Sequence, residues 1–101
     1  LERLARKVFE EHGLEMPAFE LNLGDEDWIG RVDCVWRDAK LIVELDSERY
    51  HGTKTARDRD RARDNRLMAA GWRVLRVTWD DLKQRPADTV AQIRTALRAG
   101  R

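Results

Sequence analysis

Three carboxylates stand at a spacing that a β-hairpin would bring together: Asp33, then Glu44 and Asp46. Side chains on a strand alternate between its two faces, so Ile42, Glu44 and Asp46 share one side of their run and Leu41, Val43 and Leu45 the other. In the preceding run Val32, Cys34 and Trp36 share a side, while Arg31, Asp33 and Val35 share the opposite one. Only Arg37-Asp38-Ala39 separates the two runs, and so short a connection predicts an antiparallel hairpin. A one-residue slip would turn a whole strand over, so only one parity of pairing lets both apolar rows face one core. With Trp36 opposite Leu41, Cys34 meets Val43 and Val32 meets Leu45. Asp33 then lies opposite Glu44, and Arg31 opposite Asp46.

Core packing alone therefore gathers three acids on one surface. Two such charges about 6.7 Å apart repel by roughly 2–3 kcal/mol at an effective dielectric of 20. The site has three ways to relieve this: take up protons, pair with Arg31, or hold a divalent cation. Hard oxygen ligands with open positions suit Mg²⁺ or Mn²⁺. The plainer reading is a solvent-facing strand side whose acids pair with Arg31. His51 and Lys54, just beyond Asp46, are a candidate acid/base and a candidate phosphate contact.

The elements that must position these residues are legible from periodicity and punctuation. Leu1, Leu4, Ala5 and Val8 predict an amphipathic helix closed at His12-Gly13, with His12 in a C-terminal capping role. Pro17 ends any helix, and Phe19, Leu21 and Leu23 alternate as a strand before the acidic turn Gly24-Asp25-Glu26-Asp27. Strands are predicted over Trp28–Trp36 and Lys40–Asp46. Thr55 and Asp58 form a capping-box pattern opening a helix that runs to Ala70 and stops at Gly71. Trp72–Trp79 is the last strand, Thr78 or Asp80 starts a short turn or helix, and Pro86 opens a terminal helix through Val90, Ile93 and Leu97 to Gly100. The order is α-β-β-β-α-β-α in a single α/β domain covering residues 1–101. Because it begins at Leu1 without an initiator Met, it reads as part of a longer protein.

Taken together, Gly30-Arg31-Val32-Asp33, Leu41-Ile42-Val43-Glu44-Leu45-Asp46 and Tyr50-His51 resemble the PD-(D/E)XK nuclease superfamily, in particular its small branch similar to very-short-patch-repair endonucleases. Asp60-Arg61-Ala62-Arg63, Leu67 and Gly71-Trp72-Arg73-Val74-Leu75-Arg76-Val77 extend the resemblance over nearly the whole chain. It implies a restriction-endonuclease-like α-β-β-β-α-β-α fold, a mixed sheet flanked by helices, and Mg²⁺- or Mn²⁺-dependent hydrolysis of DNA. Under it, Asp33 and Glu44 are the metal-binding acids, the Leu45 carbonyl adds an oxygen ligand, and Asp46 stands where the motif usually has lysine. Glu2 corresponds to an acid supplied by the first helix, His51 to the histidine of the repair-type branch, and Asp60 with Arg63 to a charged pair on the following helix. Asp46 in the lysine position removes the usual electrophile, so His51, Lys54 or Arg76 would have to stand in for it. Ser47 replaces a frequent glycine in the loop carrying His51.

Charge fits that expectation once it is counted by segment. The 101 residues carry 20 Lys+Arg and 19 Asp+Glu, a net of +1 that by itself argues against a polyanionic partner. Residues 1–48, however, hold 6 basic and 13 acidic side chains, whereas residues 49–76 hold 9 and 3. An acidic half able to hold a cation is joined to a basic half able to hold phosphate. On the predicted helix, Arg57, Arg61 and Arg63, with Lys54 before them and Arg76 on the last strand, are the candidate DNA contacts; the alternative is a solvated face laced with i,i+4 ion pairs. One cysteine excludes an internal disulfide framework, and no apolar run reaches the roughly 20 residues of a membrane span, so a cytoplasmic protein is expected. Cys34 falls on the core face, Trp36 reads as core, and Trp28, Trp72 and Trp79 read as packing residues. Two other functions compete with catalysis: a nucleic-acid-binding domain that keeps the fold without activity, and a protein-interaction domain assembled through its charge halves.

Overall fold

Among the described residues there are four strands: three follow one another in the chain and pair antiparallel, and the fourth comes after a helix and pairs parallel. The computed structural model describes the backbone of residues 1–23, 30–46 and 54–101, and the side chains of residues 1–19, 32–46, 58 and 61–101. Helix α1 spans Glu2–Glu11, β1 Ala18–Leu23, β2 Gly30–Trp36 and β3 Leu41–Asp46. Helix α2 spans Lys54–Ala69, β4 Arg73–Thr78, α3 Trp79–Gln84 and α4 Pro86–Gly100. The sheet order is β1-β2-β3-β4, with β3 and β4 parallel because α2 carries the chain back to the start of the sheet.

The β2–β3 register is the one that core packing requires: Trp36 opposes Leu41, Val35 opposes Ile42 and Cys34 opposes Val43. A tight turn over residues 37–40 closes the hairpin, with the Lys40 N–H donating to the Arg37 carbonyl at 3.1 Å. That turn also fastens the start of β4: the Arg73 N–H donates to the Lys40 carbonyl at 2.9 Å, and Arg73 Nη2 to the Ala39 carbonyl at 3.0 Å.

One face of the sheet carries the larger core. Ala5, Val8 and Phe9 of α1, Leu82 of α3, and Val90, Ile93 and Leu97 of α4 pack there against Cys34, Trp36, Leu41, Val43 and Val77. Trp36 is buried as expected, and its indole N–H donates to the Glu15 carbonyl at 3.0 Å. The Cys34 thiol is fully buried, and that burial pushes its pKa well above the ordinary value, so it is inert. The opposite face has a smaller cluster of Val32, Val35, Ile42 and Leu67, joined by Trp72 and Val74. Leu67 comes from α2, so this face is covered rather than open to solvent. Glu44 on this face is buried instead of solvent-facing, while the pairing of the acids with Arg31 lies outside the described residues.

Both helix ends predicted from glycine are formed by the same device. Gly71 takes φ +87°, and the Trp72 N–H reaches back to the Leu67 carbonyl at 2.9 Å. At the end of α1, Gly13 takes φ +67° and the Leu14 N–H reaches back to the Phe9 carbonyl at 2.8 Å, while His12 Nδ1 donates to the Val8 carbonyl at 3.0 Å. Three other expectations are corrected. Thr55 is the second residue of α2, so a Thr55/Asp58 capping box does not start that helix; the capping box in the structure joins Thr78 and Asp81 at α3. Trp79 opens α3 instead of ending a strand and is 45% exposed, with Lys83 Nζ 5.5 Å from its ring centre. Val32 joins the smaller cluster instead of the face of Cys34 and Trp36; the β1–β2 register runs unbroken past Asp33, and the departure is in the β2–β3 pairing, which ends at Cys34–Val43. Trp28 and the 24–27 turn lie outside the described residues.

Candidate active site

The departure at Asp33 begins the site. Beyond the Cys34–Val43 pair, the Leu45 N–H donates to Asp33 Oδ2 at 2.8 Å, so a carboxylate takes the place of a ladder carbonyl. The Asp33 side chain therefore reaches toward β3. Glu44, one residue before Leu45, is 7% exposed and close enough to Asp33 for the two carboxylates to interact directly. Burial pushes the Glu44 carboxyl above its ordinary value, the Asp33 charge adds to this, and Arg63 opposes both without cancelling them.

Arg63 comes from α2 and brings Nη2 to 2.6 Å from Glu44 Oε1. The approach is off-axis, for Oε1 is buried and receives no aligned hydrogen bond. A few residues along β4, Arg76 is aligned with Glu44 in the parallel register, yet its guanidinium turns elsewhere. It donates to Asp64 Oδ2 at 2.6 Å and lies 3.5 Å from Asp46 Oδ1. The other Asp64 oxygen is buried without a partner. Glu44, beside Asp33, thus faces an α2 arginine, and Asp64 and Asp46 lie against the β4 arginine.

The sequence expectations divide accordingly. Asp33 and Glu44 come together, with the backbone of Leu45 beside them. Asp46 lies against Arg76, at 3.5 Å. Among the described residues, no group of three or more His, Cys, Asp or Glu side chains is arranged around a common metal position. A cation here would rest on two carboxylates and a backbone carbonyl, with water completing its shell. The chemistry of this donor set fits a hard divalent ion, and the buried Glu44 Oε1, ion-paired with Arg63 but without an aligned hydrogen bond, is the kind of atom that such an ion would satisfy.

The family model REase_MTES_1575, restriction-endonuclease-like, matches residues 22–97. The chain belongs to this family. Two uncharacterized proteins of Mycobacterium tuberculosis, MT2308 of strain CDC 1551 and Rv2248 of strain H37Rv, are each 32% identical over 96 residues, or 92% of the chain. The chain spans about a third (35%) of their length. In the solved structures, the catalytic domain of homing endonuclease I-Bth0305I superposes with a TM-score of 0.68 at 19% identity, covering 98% of this chain and 94% of that one. The restriction-endonuclease-like fold and membership of the PD-(D/E)XK nuclease superfamily therefore hold.

Within this restriction-endonuclease-like frame the remaining candidates fall as follows. Glu2 starts α1, pairs with Arg6 at 3.8 Å and adds its charge to the field on Cys34. Arg61 is exposed on α2. The side chains of Arg31, Lys54, Arg57 and Asp60, and all of His51, lie outside the described residues. Two features escaped the sequence reading: Asp64 as the partner of Arg76, and the closure of Arg63 on Glu44. Both could have been found from Leu67, since Asp64 and Arg63 stand three and four residues before it and share its helix face. Among the described residues, no helix is long and apolar enough to cross a membrane.

Proposed function

We propose that this domain is a metal-dependent nuclease that hydrolyses DNA phosphodiester bonds. The observation that carries the reading is the Asp33–Glu44 pair, half-buried at Asp33 and buried at Glu44, with Glu44 Oε1 lacking an aligned donor. Asp33, Glu44 and the Leu45 carbonyl would hold Mg²⁺ or Mn²⁺. When bound, such an ion supplies polarisation of a phosphoryl oxygen and acidification of an attacking water. Asp33 stays in place because the Leu45 N–H holds it, which limits the reorganisation that binding requires. Asp46 enters the ligand set only by releasing Arg76. His51 would assist proton transfer, Glu2 would orient a water or ligand, and Lys54, Arg57, Arg61, Arg63 and Arg76 would hold the phosphate backbone. The resemblance to very-short-patch-repair endonucleases, carried by the motifs around Asp33, Glu44 and Tyr50-His51 together, belongs to this reading. The domain would act in the cytoplasm, within a longer protein.

Incubation of plasmid and oligonucleotide DNA with Mg²⁺ or Mn²⁺ tests this. Cleavage by the wild type and its loss in Glu44→Ala are expected; no cleavage with any ion or substrate would overturn it. One observation favours a second reading, a DNA-binding domain without activity: the residue in the motif's lysine position is an acid, and Arg76 holds it. That reading expects steeply salt-dependent DNA affinity with no turnover.

A further inference from the structure

Among the described residues β4 is an edge strand of the sheet, and a cleft of about 570 Å³ opens between it and α2. That volume falls within the roughly 300–1,000 Å³ of small-ligand pockets. Trp72, Val74 and Met68 make the apolar walls, and Asp64 and Arg76 the polar end. Trp72 and Val74 are anchored on the Leu67 cluster, whereas Met68 stands at the rim, 74% exposed. The polar end offers both senses of hydrogen bond. Asp64 accepts and Arg76 donates, and beyond their mutual bond the two side chains remain 35% and 41% exposed.

The cleft also has a direction. Arg76 is aligned with Glu44 in the parallel register, so the polar end adjoins the candidate site. Trp72 lies four residues earlier, about 13 Å back along the chain, and there Lys40 Nζ stands 6.0 Å from its ring centre. An apolar slot with a cation at either end matches a nucleotide within a strand, a flat base between two phosphates. Apolar walls suit the face of any base, and an acceptor beside a donor suits its pairing edge. In a duplex the complementary base takes that edge and the stack covers both faces, so a base must be unpaired to enter.

We infer that the α2–β4 cleft receives an unpaired nucleobase of the DNA strand, which makes DNA with an unpaired nucleotide beside the cleaved bond the preferred substrate class; this deepens the nuclease reading above and rests on it.

Fluorescence anisotropy on phosphorothioate DNA, in EDTA and in Mn²⁺, reads binding apart from cleavage. The probes are a fully paired duplex and the same duplex with one bulged nucleotide. The wild type should bind the bulged probe at least about tenfold more tightly than the paired one. Trp72→Leu keeps an apolar wall but removes the ring, and Met68→Glu sets a carboxylate at the rim. Each should reduce the tenfold preference at least about fivefold. The new charge in Met68→Glu weakens both probes alike, so the ratio separates the cleft from general electrostatics. If Trp72→Leu does not fold, the exposed Met68 position carries the same test. No preference in the wild type, or a preference that either folded variant leaves unchanged, overturns the proposal. So does a free deoxynucleoside monophosphate that displaces the bulged probe at equal concentration, which would give the cleft to free nucleotides. A mass that rises with protein concentration in the wild type but not in Met68→Glu would give it to a second copy and overturns it as well. A wild type that binds neither probe and cuts no DNA overturns the nuclease reading and the role of the cleft together. A wild type that cuts paired and bulged DNA at equal rates, with equal affinities, overturns the role of the cleft alone.

Discussion

Asp33 and Leu45 are joined by a 2.8 Å hydrogen bond from a backbone N–H to a carboxylate, at the point where the β2–β3 ladder stops pairing backbone to backbone. The bond sets the direction of the Asp33 side chain and keeps its charge beside Glu44, which is unfavourable for the two acids and useful for a cation. Loss of regular pairing and assembly of the candidate site are one structural event.

Asp33→Asn separates these two consequences. The asparagine Oδ1 still accepts the Leu45 N–H, while the charge beside Glu44 disappears. In metal-free buffer the melting temperature should stay the same or rise slightly. With Mn²⁺ at about 100 times its Kd, the wild type should gain roughly 2.7 kcal/mol, of order 10 °C for a domain this size. Asp33→Asn should lose most of that gain, and differential scanning calorimetry with and without Mn²⁺ reads both effects.

Arg76 offers a graded test of its two acids. It approaches Asp64 at 2.6 Å and Asp46 at 3.5 Å, and all three side chains are partly exposed, so solvent screens the interactions. Double-mutant cycles by urea unfolding should give Arg76→Ala with Asp64→Asn a coupling of about 0.5–1 kcal/mol, and with Asp46→Asn less than half of that. Equal couplings would mean that Asp46 is held as firmly as Asp64, contrary to the geometry.

The turn after β4 carries a pH dependence whose sign is fixed. The Thr78 backbone N–H donates to Asp81 Oδ2 at 2.9 Å, and with help from Arg85 this holds the Asp81 carboxyl below its ordinary value of 3.8. A depressed acid binds fewer protons folded than unfolded, so its contribution is complete above pH 3.8 and is lost as pH falls through the folded value. Asp81→Asn should therefore be less stable than the wild type at neutral pH by about 1 kcal/mol, with the gap closing as pH falls below 3.8. Thr78 pairs with Asp46 in the parallel register, so the cap also fixes the end of β4 next to the site.

Much of this architecture was legible in the sequence because it follows from local rules. Alternation in 32–36 and 41–46 gave the hairpin register through Trp36–Leu41 and Cys34–Val43, and Gly13 and Gly71 gave two helix ends. Asp33 and Glu44 followed from that register. What the sequence hid was non-local. Strand alternation assumes that the β2–β3 pairing stays regular, and it cannot show that a side chain replaces a backbone acceptor at Asp33. Helix α2 is charged almost all round, so nothing but Leu67 marks which of its arginines faces the sheet. Asp46 was grouped with Asp33 and Glu44 because parity places all three on one face, but parity carries no information about Arg76 arriving from β4.

Leu67 is the residue on which the second face depends. It is fully buried, and among the described residues Val32, Val35 and Ile42 are the other buried members of its cluster, so few of these neighbours can close a gap there. Leu67→Ala should cost about 3 kcal/mol from lost transfer energy and cavity together. The larger core, on the other face, keeps its own packing from α1, α3 and α4. Loosening should therefore fall on α2 first and carry Arg63 and Asp64 away from Glu44 and Arg76. Hydrogen exchange on Leu67→Ala should show lost protection in 58–69 at denaturant concentrations where 86–97 is still protected, and the Mn²⁺ response should change together with the α2 amides. Uniform loss across both helices would show instead that the two faces unfold as one unit.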